Sequence, residues 1–359
     1  MSFTLISISA VFCCCFILCY LWLSAISRNL SSFILTPSVM KDSFTPVFLT
    51  SFAGCLGLSF LVNYDYDFIH GFSRLDLLTA FVCTAVIYAV SLDRRLAHFM
   101  PAFIFAAAAA CSFFLPNGFM LFDGHLPLIL DRMSVILLWT VFSWCYFYFN
   151  GVDGVISSVS FAIPGGLLFL SLFGAVPALI GGFGAVYAAV ILAFFSYNRY
   201  PAQLLLTRGG CTALGFMLGW LAFKGAAEGV GSCILIFCIY IFVEMIFASA
   251  QKLSFQPKHQ DLVANTNYYR INLSGLSPDI IADSLLKLQL LLWILGCFQA
   301  FAPNNYSLLI LSLLLTAWFI NKLYNWETGH QTLKDINQEV IRDIKDNVSQ
   351  LTQKIDKDL

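Results

Sequence analysis

The sequence predicts an all-α, polytopic transmembrane helix bundle of about eleven spans that ends in a cytoplasmic amphipathic helix. Three observations predict this class. First, 59% of the 359 residues are hydrophobic and only 11% are charged, whereas about 25% of the residues of soluble domains are charged. Second, apolar runs long enough to cross a bilayer follow one another along the chain. Third, the composition becomes polar after residue 324, where apolar residues recur with a helical period.

The apolar runs define the predicted spans in chain order. They lie near residues 3–24, 46–62, 77–92, 98–115, 127–149, 155–173, 176–195, 209–226, 230–250, 284–301 and 305–321. The first run lacks the basic region of a cleaved signal peptide and is too long for its apolar core, so we count it as a span. Glycine clusters at 165–166, 181–184 and 209–210 predict close contacts between helices. We expect a transmembrane domain over 1–322 and a tail domain over 323–359.

The positions of lysine and arginine predict the orientation of the chain. With the N-terminus outside, sixteen of the nineteen basic residues fall on the inner side, and only Arg74, Arg132 and Lys224 fall outside. Basic residues accumulate on the cytoplasmic side of membrane proteins, so we expect an external N-terminus and a cytoplasmic C-terminus. The cytoplasmic segments before the tail are then 25–45, 92–95, 150–154, 196–208 and 251–283.

The composition also excludes several classes of protein. All twelve cysteines fall inside apolar runs and none forms a Cys-x-x-Cys pair, which is typical of packing residues rather than of metal ligands or disulfides. No basic patch is interleaved with aromatic residues, so no nucleic-acid partner is predicted. A transporter is not favoured, because none of the predicted spans carries an acid–base relay of the kind that marks proton pathways.

The most informative turn follows the fifth apolar run. This run ends at Asn150-Gly-Val-Asp153-Gly154, and the next apolar run begins at once with Val155. A turn this tight between two spans requires the conformational freedom of glycine. Two interpretations are open at this point: a polar hairpin turn at a membrane surface, or an active-site loop that carries an amide and a carboxylate.

The tail has one apolar face if it is helical. The apolar residues of this face are Leu333, Ile336, Val340, Ile344, Val348, Leu351 and Ile355. Their spacing is close to the helical period. Such a helix is either solvated, laid on the bilayer, packed on the cytoplasmic loops, or paired with a second copy of itself.

Short motifs recur in the predicted cytoplasmic loops. They are Leu92-Asp93-Arg94-Arg95, Asn150-Gly-Val-Asp-Gly-Val, Asn198-Arg-Tyr-Pro-Ala202 followed by Gly210-Cys-Thr-Ala-Leu-Gly215, and Asn267-Tyr-Tyr269 followed by Leu-Ser277. A weaker motif, Arg28-Asn-Leu-Ser-Ser with Pro37, stands in the first loop. In this order and topology, the loops over residues 25–285 resemble those of the polyprenyl-phosphate N-acetylhexosamine-1-phosphate transferase family.

The resemblance implies a divergent membrane enzyme in the bacterial inner membrane that serves cell-envelope polysaccharide synthesis. Such an enzyme moves a sugar-1-phosphate from a UDP-sugar to a polyprenyl phosphate and uses Mg²⁺. By resemblance, Asp93 and Asp153 are the catalytic residues, and Asp153 and Asn150 are the metal ligands. The implied substrate-binding residues are Arg94, Asn198, Arg208, Asn267 and Tyr269. The partners expected besides the substrates are a second copy or another envelope-synthesis protein, bound through 331–357.

Four positions depart from the family pattern. Leu92, Asn150 and Arg208 stand where the family has aspartate, and Asn267 stands where it has histidine. Asn150 retains a carbonyl oxygen that can bind Mg²⁺, but Leu92 offers no ligand atom. Arg208 can itself clamp a diphosphate and so perform part of the electrostatic work of a cation.

These departures leave two hypotheses of different class. In the first, the chain is a divergent transferase. In the second, it is a catalytically degenerate homologue that binds a lipid-linked sugar or a partner protein. The second is compatible with a purely structural origin of the motifs, in which Arg94 and Arg95 anchor a turn at the membrane interface and Asp153 accepts hydrogen bonds within its own turn.

Overall fold

The computed structural model describes residues 2–32, 74–93, 95–116, 118–122, 124–254, 263, 266–303 and 305–329. In these ranges the chain forms helices and turns and no β-strand, so the predicted all-helical class is confirmed. The predicted span 46–62, Arg94 and the tail helix 331–357 lie outside the described residues.

The helices of the described part are numbered in chain order. They are α1 (Ser2–Ser32), α2 (Arg74–Leu92), α3 (Met100–Ser112), α4 (Leu128–Tyr148), α5 (Val155–Ser160), α6 (Ala162–Leu172), α7 (Ala178–Asn198), α8 (Arg208–Gly225), α9 (Gly231–Ser254), α10 (Asn267–Ser274), α11 (Pro278–Gln299) and α12 (Ser307–Gly329). A short 3₁₀ turn, Ala97–Phe99, precedes α3, and a π-helical segment, Ala226–Val230, joins α8 to α9.

Among the described residues, seven helical segments are long and apolar enough to cross a membrane. They are Leu75–Leu92, Leu128–Tyr148, Val155–Leu172, Ala178–Asn198, Arg208–Gln251, Pro278–Gln299 and Ser307–Gly329. Two further apolar helices, Val11–Ala25 and Ala97–Ser112, are shorter than the ~17 residues of the shortest spans. The protein is therefore a polytopic membrane protein by composition and helix length, but the count of about eleven spans is not confirmed.

The longest of these segments, Arg208–Gln251, is a hairpin. Its 44 residues would measure ~66 Å as one straight helix, about twice the thickness of the hydrocarbon core. Gly229 interrupts the helical conformation with φ +90°. The chain then runs back along itself, because residues of α8 and α9 both lie against the end of α4. On α8, a Cβ added to Gly215 would be 2.6 Å from Tyr146. On α9, the Tyr240 ring lies 6.2 Å from the Phe149 ring.

The predicted span 155–173 is broken into two helices. Helix α5 ends at Ser160 and α6 begins at Ala162, with Phe161 between them. Pro164 explains the position of the break, because a proline ring clashes with the carbonyl group four residues earlier, here that of Ser160, and offers no N–H group.

Each predicted glycine cluster contains a glycine at a close helix contact. A Cβ on Gly166 would be 2.3 Å from the Phe237 ring of α9, and one on Gly184 would be 2.8 Å from the Pro164 carbonyl oxygen. A Cβ on Gly209 would be 1.8 Å from Ser91 Oγ. No larger residue fits these positions unless its neighbour moves, so the glycines set the spacing of α2, α6, α7, α8 and α9.

Helix α12 continues to Gly329, past the predicted end of the last span at 321. The polar residues of its last turns are held by a tertiary contact. The guanidinium group of Arg270 donates to Glu327 Oε1 from Nε at 2.9 Å and from Nη2 at 2.6 Å. The Glu327 side chain is only 3% exposed. This ion pair joins α12 to α10. A pattern of apolar residues along the chain could not predict such a contact between distant residues.

Two ends of the bundle can be distinguished by their contacts. Helix α2 is antiparallel to α8, because Asp76 pairs with Lys224 while Ser91 lies against Gly209. The end that holds Gly209 also holds the turn after α4, and we call it the Asp153 end. The opposite end is called the Lys224 end. The predicted orientation of these ends across the membrane stays a prediction.

Candidate functional site

The turn that joins α4 to α5 lies at the centre of the Asp153 end. Gly154 adopts φ +80°, and a Cβ there would be 2.9 Å from the Ala282 Cβ of α11. Asp153 is half-buried, and its Oδ2 accepts a hydrogen bond from the Ala202 N–H at 3.1 Å. Its other carboxylate oxygen receives no hydrogen bond from the described residues. The turn therefore presents a carboxylate with capacity to bind a further ligand.

Asn198 fixes this turn against the loop that follows α7. Its Oδ1 accepts hydrogen bonds from the Gly154 N–H at 3.2 Å and from Ser157 Oγ at 2.7 Å. Its Nδ2 donates to the Leu204 carbonyl at 3.0 Å. The residue is 2% exposed, so its amide holds the protein together at this point rather than facing an open site.

The N-terminus of α8 brings positive charge to the same end. Thr207 caps the helix, and its Oγ1 accepts a hydrogen bond from the Gly210 N–H at 3.1 Å. The guanidinium carbon of exposed Arg208 lies 5.4 Å from the centre of the Phe147 ring, near the end of α4. The first N–H groups of a helix and its macrodipole favour anions, so this corner suits a negatively charged group.

The end of α2 completes one side of the site. Ser91 lies against Gly209, so Asp93 follows directly after a contact with the start of α8. Asp93 is exposed, and its Oδ1 accepts the Arg95 N–H at 2.8 Å within the local turn. Leu92 is 61% exposed and provides no ligand atom.

Helix α10 is anchored by a buried carboxylate of α9. Glu244 Oε1 accepts the Asn267 N–H at 2.6 Å, and Glu244 Oε2 accepts Asn267 Nδ2 at 3.1 Å. Both residues are fully buried. Because Asn267 begins α10, Glu244 satisfies one of the unpaired N–H groups at the start of this helix.

The two tyrosines of α10 cover the end of α4 and the turn after it. The Tyr268 ring stacks on Phe149 with centroids 5.6 Å apart, and its hydroxyl donates to the Tyr148 carbonyl. Burial raises the pKa of the Tyr268 phenol well above its usual range, so the donating hydroxyl stays protonated. Half-buried Tyr269 lies over Gly151, where a Cβ would be 3.0 Å from the ring.

An exposed ion pair borders the turn on its other side. Arg199 Nη2 lies 2.9 Å from Asp283 Oδ2 of α11, and the two side chains are 49% and 40% exposed. Arg199 directly follows Asn198. A Cβ added to Gly154 would be 3.8 Å from the Arg199 Cα. The pair therefore joins α11 to the loop that holds Asp153.

The predicted site residues fall into two groups. Those with exposed or half-buried side chains at the Asp153 end are Asp93, Asn150, Asp153, Arg208 and Tyr269. In contrast, Asn198 and Asn267 are buried, and their side-chain amides form hydrogen bonds within the protein. Asn267 Oδ1 has no hydrogen-bond partner among the described residues. Arg94 is outside the described residues.

The sequence did not reveal four residues that shape the site. These residues are Ser157, Arg199, Glu244 and Asp283. Glu244 did carry a signal, because a lone acid inside the apolar run 230–250 requires a partner within the bundle. The pairing of Arg199 with Asp283 joins segments far apart in the chain, and neither residue belongs to a local pattern that would predict it.

The residues around the turn offer few ligands for a metal ion. Among the described residues, no group of three or more His, Cys, Asp or Glu side chains is arranged to hold a metal. Asp153 and Asn150 would supply one carboxylate and one amide oxygen. Mg²⁺ is commonly bound through one or two carboxylates, with water and phosphate oxygens as its other ligands. This set suits an ion that arrives with a phosphate compound better than one bound by protein alone.

The chain was compared with protein-family models and with curated proteins. It matches no family model, and it matches no curated protein.

Proposed function

We propose that the protein is a divergent membrane sugar-1-phosphate transferase. It moves an N-acetylhexosamine-1-phosphate from a UDP-sugar to a polyprenyl phosphate, for cell-envelope polysaccharide synthesis. In this proposal the protein lies in the bacterial inner membrane with its N-terminus outside and its C-terminus in the cytoplasm. The Asp153 end then faces the cytoplasm, where nucleotide sugars are available.

One observation carries the proposal. The four motif segments near residues 92, 150, 198–208 and 267 are far apart in the chain, yet all four meet at the Asp153 end. Their contacts are specific: Ser91 lies against Gly209, and Asn198 bonds to Gly154. Several distant segments that meet at one end of a bundle can hold one substrate between them, and the transferase proposal requires this arrangement.

The reaction needs little covalent chemistry from the protein. An oxygen of the lipid phosphate forms a bond to the β-phosphorus of the UDP-sugar. The bond from this phosphorus to the oxygen that bridges it to the α-phosphate breaks, and UMP leaves with that electron pair. Arg208 and the N–H groups at the start of α8 stabilise the negative charge that develops on the leaving phosphate.

The remaining residues take supporting roles. Asp93 acts as a base or orienting group for the lipid phosphate, and Tyr269 contacts the nucleotide or the sugar. Asn198 and Asn267 contribute by holding the turn and α10 in place, as their buried amides indicate. Arg94 is assigned to the phosphates of the substrate.

Mg²⁺ is the proposed cofactor. Asp153 and Asn150 would hold the ion, which would supply positive charge to the phosphate oxygens of the substrate. Asp153 is the main protein ligand in this proposal because its carboxylate is charged, and Asn150 adds a neutral oxygen.

The alternative function is that of a catalytically degenerate homologue. It is favoured by Leu92, which is 61% exposed at a position where an aspartate would face the site. Such a protein would bind a lipid-linked sugar or a partner protein without turnover. The segment 331–357 would then be the contact for a second copy or for an envelope-synthesis enzyme.

UMP release separates the two functions. The full-length protein in detergent is incubated with UDP-N-acetylhexosamines, undecaprenyl phosphate and Mg²⁺. The transferase proposal predicts UMP release that requires undecaprenyl phosphate and stops when EDTA is added. No UMP release from a preparation that still binds a lipid-linked sugar would favour the degenerate homologue.

A series of restoring variants sharpens this test. Leu92→Asp and Asn150→Asp return carboxylates to the site, and Arg208→Asp removes a charge from the space that a cation would need. If the scaffold is competent, these variants raise UMP release or create it. Turnover that is unaffected by EDTA in wild type would instead exclude the Mg²⁺ mechanism and leave Arg208 as the main source of positive charge.

A further inference from the structure

A cavity of about 350 Å³ lies toward the Lys224 end of the bundle. It is bounded by α4, α8, α9 and the start of α12, together with residues 119–121 and Pro303. Its volume falls within the range of ligand-binding pockets in proteins, about 300–1,000 Å³. None of the motif residues at the Asp153 end lines it, so the cavity is separate from the candidate functional site.

The side chains that line this cavity are mostly apolar. Its floor is formed by the buried side chains of Phe142, Phe223 and Cys238. Among the described residues that line it, none is Asp, Glu, Lys, Arg or His. The cavity opens beside Leu235 and Tyr306, which are 47% and 60% exposed. A ligand that enters here therefore meets hydrocarbon and aromatic surface and no charged group.

The position of the cavity limits what can fill it. Most of its lining belongs to three of the segments that qualify to cross a membrane: Leu128–Tyr148, Arg208–Gln251 and Ser307–Gly329. With these segments across the bilayer, lipid can reach the mouth of the cavity. Apolar cavities of about 150 Å³ stay dry and take up apolar molecules even in soluble proteins, and an empty cavity forfeits the dispersion contacts of its lining.

We propose that this cavity binds one acyl chain of a bilayer phospholipid. Tyr306 lies just before α12, and tyrosines are enriched at the level of the lipid headgroups. The chain enters between Leu235 and Tyr306 while the headgroup remains at the interface. The bound chain fills the space between α4, α9 and α12, so the lipid acts as part of the packing at the Lys224 end. This inference does not depend on the transferase proposal.

Two buried tryptophans allow a matched quenching experiment. Trp139 and Trp220 are each 1% exposed. Trp139 lies beside the cavity, since its ring centre is 5.4 Å from that of the lining residue Phe223. Trp220 instead packs on Phe183 and donates to Asp76. Two variants that each retain one of these tryptophans, with the others changed to phenylalanine, are reconstituted in phosphatidylcholine with brominated acyl chains.

Bromine quenching of Trp139 is expected to exceed that of Trp220 at least twofold. Gly231→Leu should remove this difference, because Gly231 lines the cavity in helical conformation (φ −56°, ψ −41°). A Cβ there would meet only the Ala226 Cβ, at 3.9 Å. Gly182→Leu on α7 is the control, since it too has open space and does not line the cavity. Equal quenching of the two tryptophans, or quenching that Gly231→Leu leaves unchanged, would overturn the proposal.

A second measurement needs no tryptophan substitutions and therefore does not depend on the folding of those variants. Native mass spectrometry of the full chain, released from gently delipidated micelles, counts the phospholipids that remain bound. Wild type and Gly182→Leu are expected to retain one phospholipid more than Gly231→Leu. Identical counts for the three proteins would contradict a lipid chain in this cavity.

Discussion

The described aspartates at the two ends of the bundle differ in their burial and in their partners. At the Lys224 end, Asp76 is 1% exposed, and Trp220 Nε1 donates to it at 3.1 Å while Lys224 pairs with its other oxygen. Lys224 Nζ also donates to the Phe114 carbonyl at 2.8 Å. Asp131 at this end is fully buried, and its two oxygens accept N–H groups of the 119–122 segment at 2.9 Å.

At the Asp153 end, three aspartates keep capacity for a ligand, whereas buried Glu244 is bonded to Asn267 as part of the structure. Asp93, Asp153 and Asp283 are exposed or half-buried, and each accepts a single hydrogen bond from the described residues. Burying a charge is costly unless the protein supplies partners. A carboxylate with all its partners is therefore part of the structure, whereas a carboxylate with accessible oxygens is available for binding. The described aspartates of the Lys224 end are therefore part of the structure, and those of the Asp153 end are available for binding.

The largest change in stability is expected from Lys224→Met at the Lys224 end. This variant leaves Asp76 charged and buried without its cation, so the free energy of unfolding should fall by about 3–5 kcal/mol. Unfolding in mixed detergent micelles measures the change. Lys287→Met, which removes an exposed lysine of α11, is the control and should cost less than about 0.5 kcal/mol.

The double variant Asp76→Leu with Lys224→Met tests the cause of that loss. Removing both charges should recover most of the stability, because a buried ion pair is often replaced by apolar residues without a net cost. A double variant as unstable as Lys224→Met would mean that packing at this position, and not an unpaired charge, explains the effect.

A smaller change is expected from Asn198→Ala at the Asp153 end. The substitution leaves the Gly154 N–H, Ser157 Oγ and the Leu204 carbonyl without the amide that now binds them. Leaving such groups unpaired costs about 1–3 kcal/mol. Thermal unfolding checks the loss, and Asn198→Asp should not recover it, because a second oxygen would then face the Leu204 carbonyl. Full stability of Asn198→Ala would contradict the bonding role of this amide.

The smallest effect is expected from Arg199→Gln. The pair of Arg199 with Asp283 is exposed on both sides, and exposed ion pairs contribute about 0–1 kcal/mol and are weakened by salt. Unfolding midpoints of wild type and variant should differ little at low salt and converge at high salt. A loss as large as that of Lys224→Met would show that the two ends do not differ in the way described above.

Helices and tight turns of this protein were predictable because they depend on local sequence. Apolar runs gave the all-helical membrane class, and the glycines of the 150–154 turn indicated its sharpness. The break at Phe161 was missed although Pro164 signalled it. The extension of α12 to Gly329 was not predictable, because its last turn is held by the distant Arg270.

The candidate site was predictable only in part, for a similar reason. Motif order identified the segments that meet at the Asp153 end. It could not distinguish side chains that face a ligand from those that bind the protein, because that distinction depends on burial. Asn198 and Asn267 were predicted to bind substrate, a prediction that stays untested, and their amides are engaged with Gly154 and Glu244. Glu244 lies in an apolar run, and its contact with Asn267 was not predicted from the sequence.

The most direct test of this division between the ends compares Asp153→Asn with Asp131→Asn in the UMP-release assay. Each substitution keeps the shape of the side chain and removes one charge, so the pair is matched. We predict that turnover per folded molecule falls at least about 100-fold in Asp153→Asn, since a ligand that stabilises transferred charge is lost. Asp131→Asn should lower only the unfolding temperature and leave turnover of the folded fraction nearly unchanged. Equal turnover in the two variants, or no UMP release from wild type under any condition, would contradict the assignment of transferase chemistry to the Asp153 end.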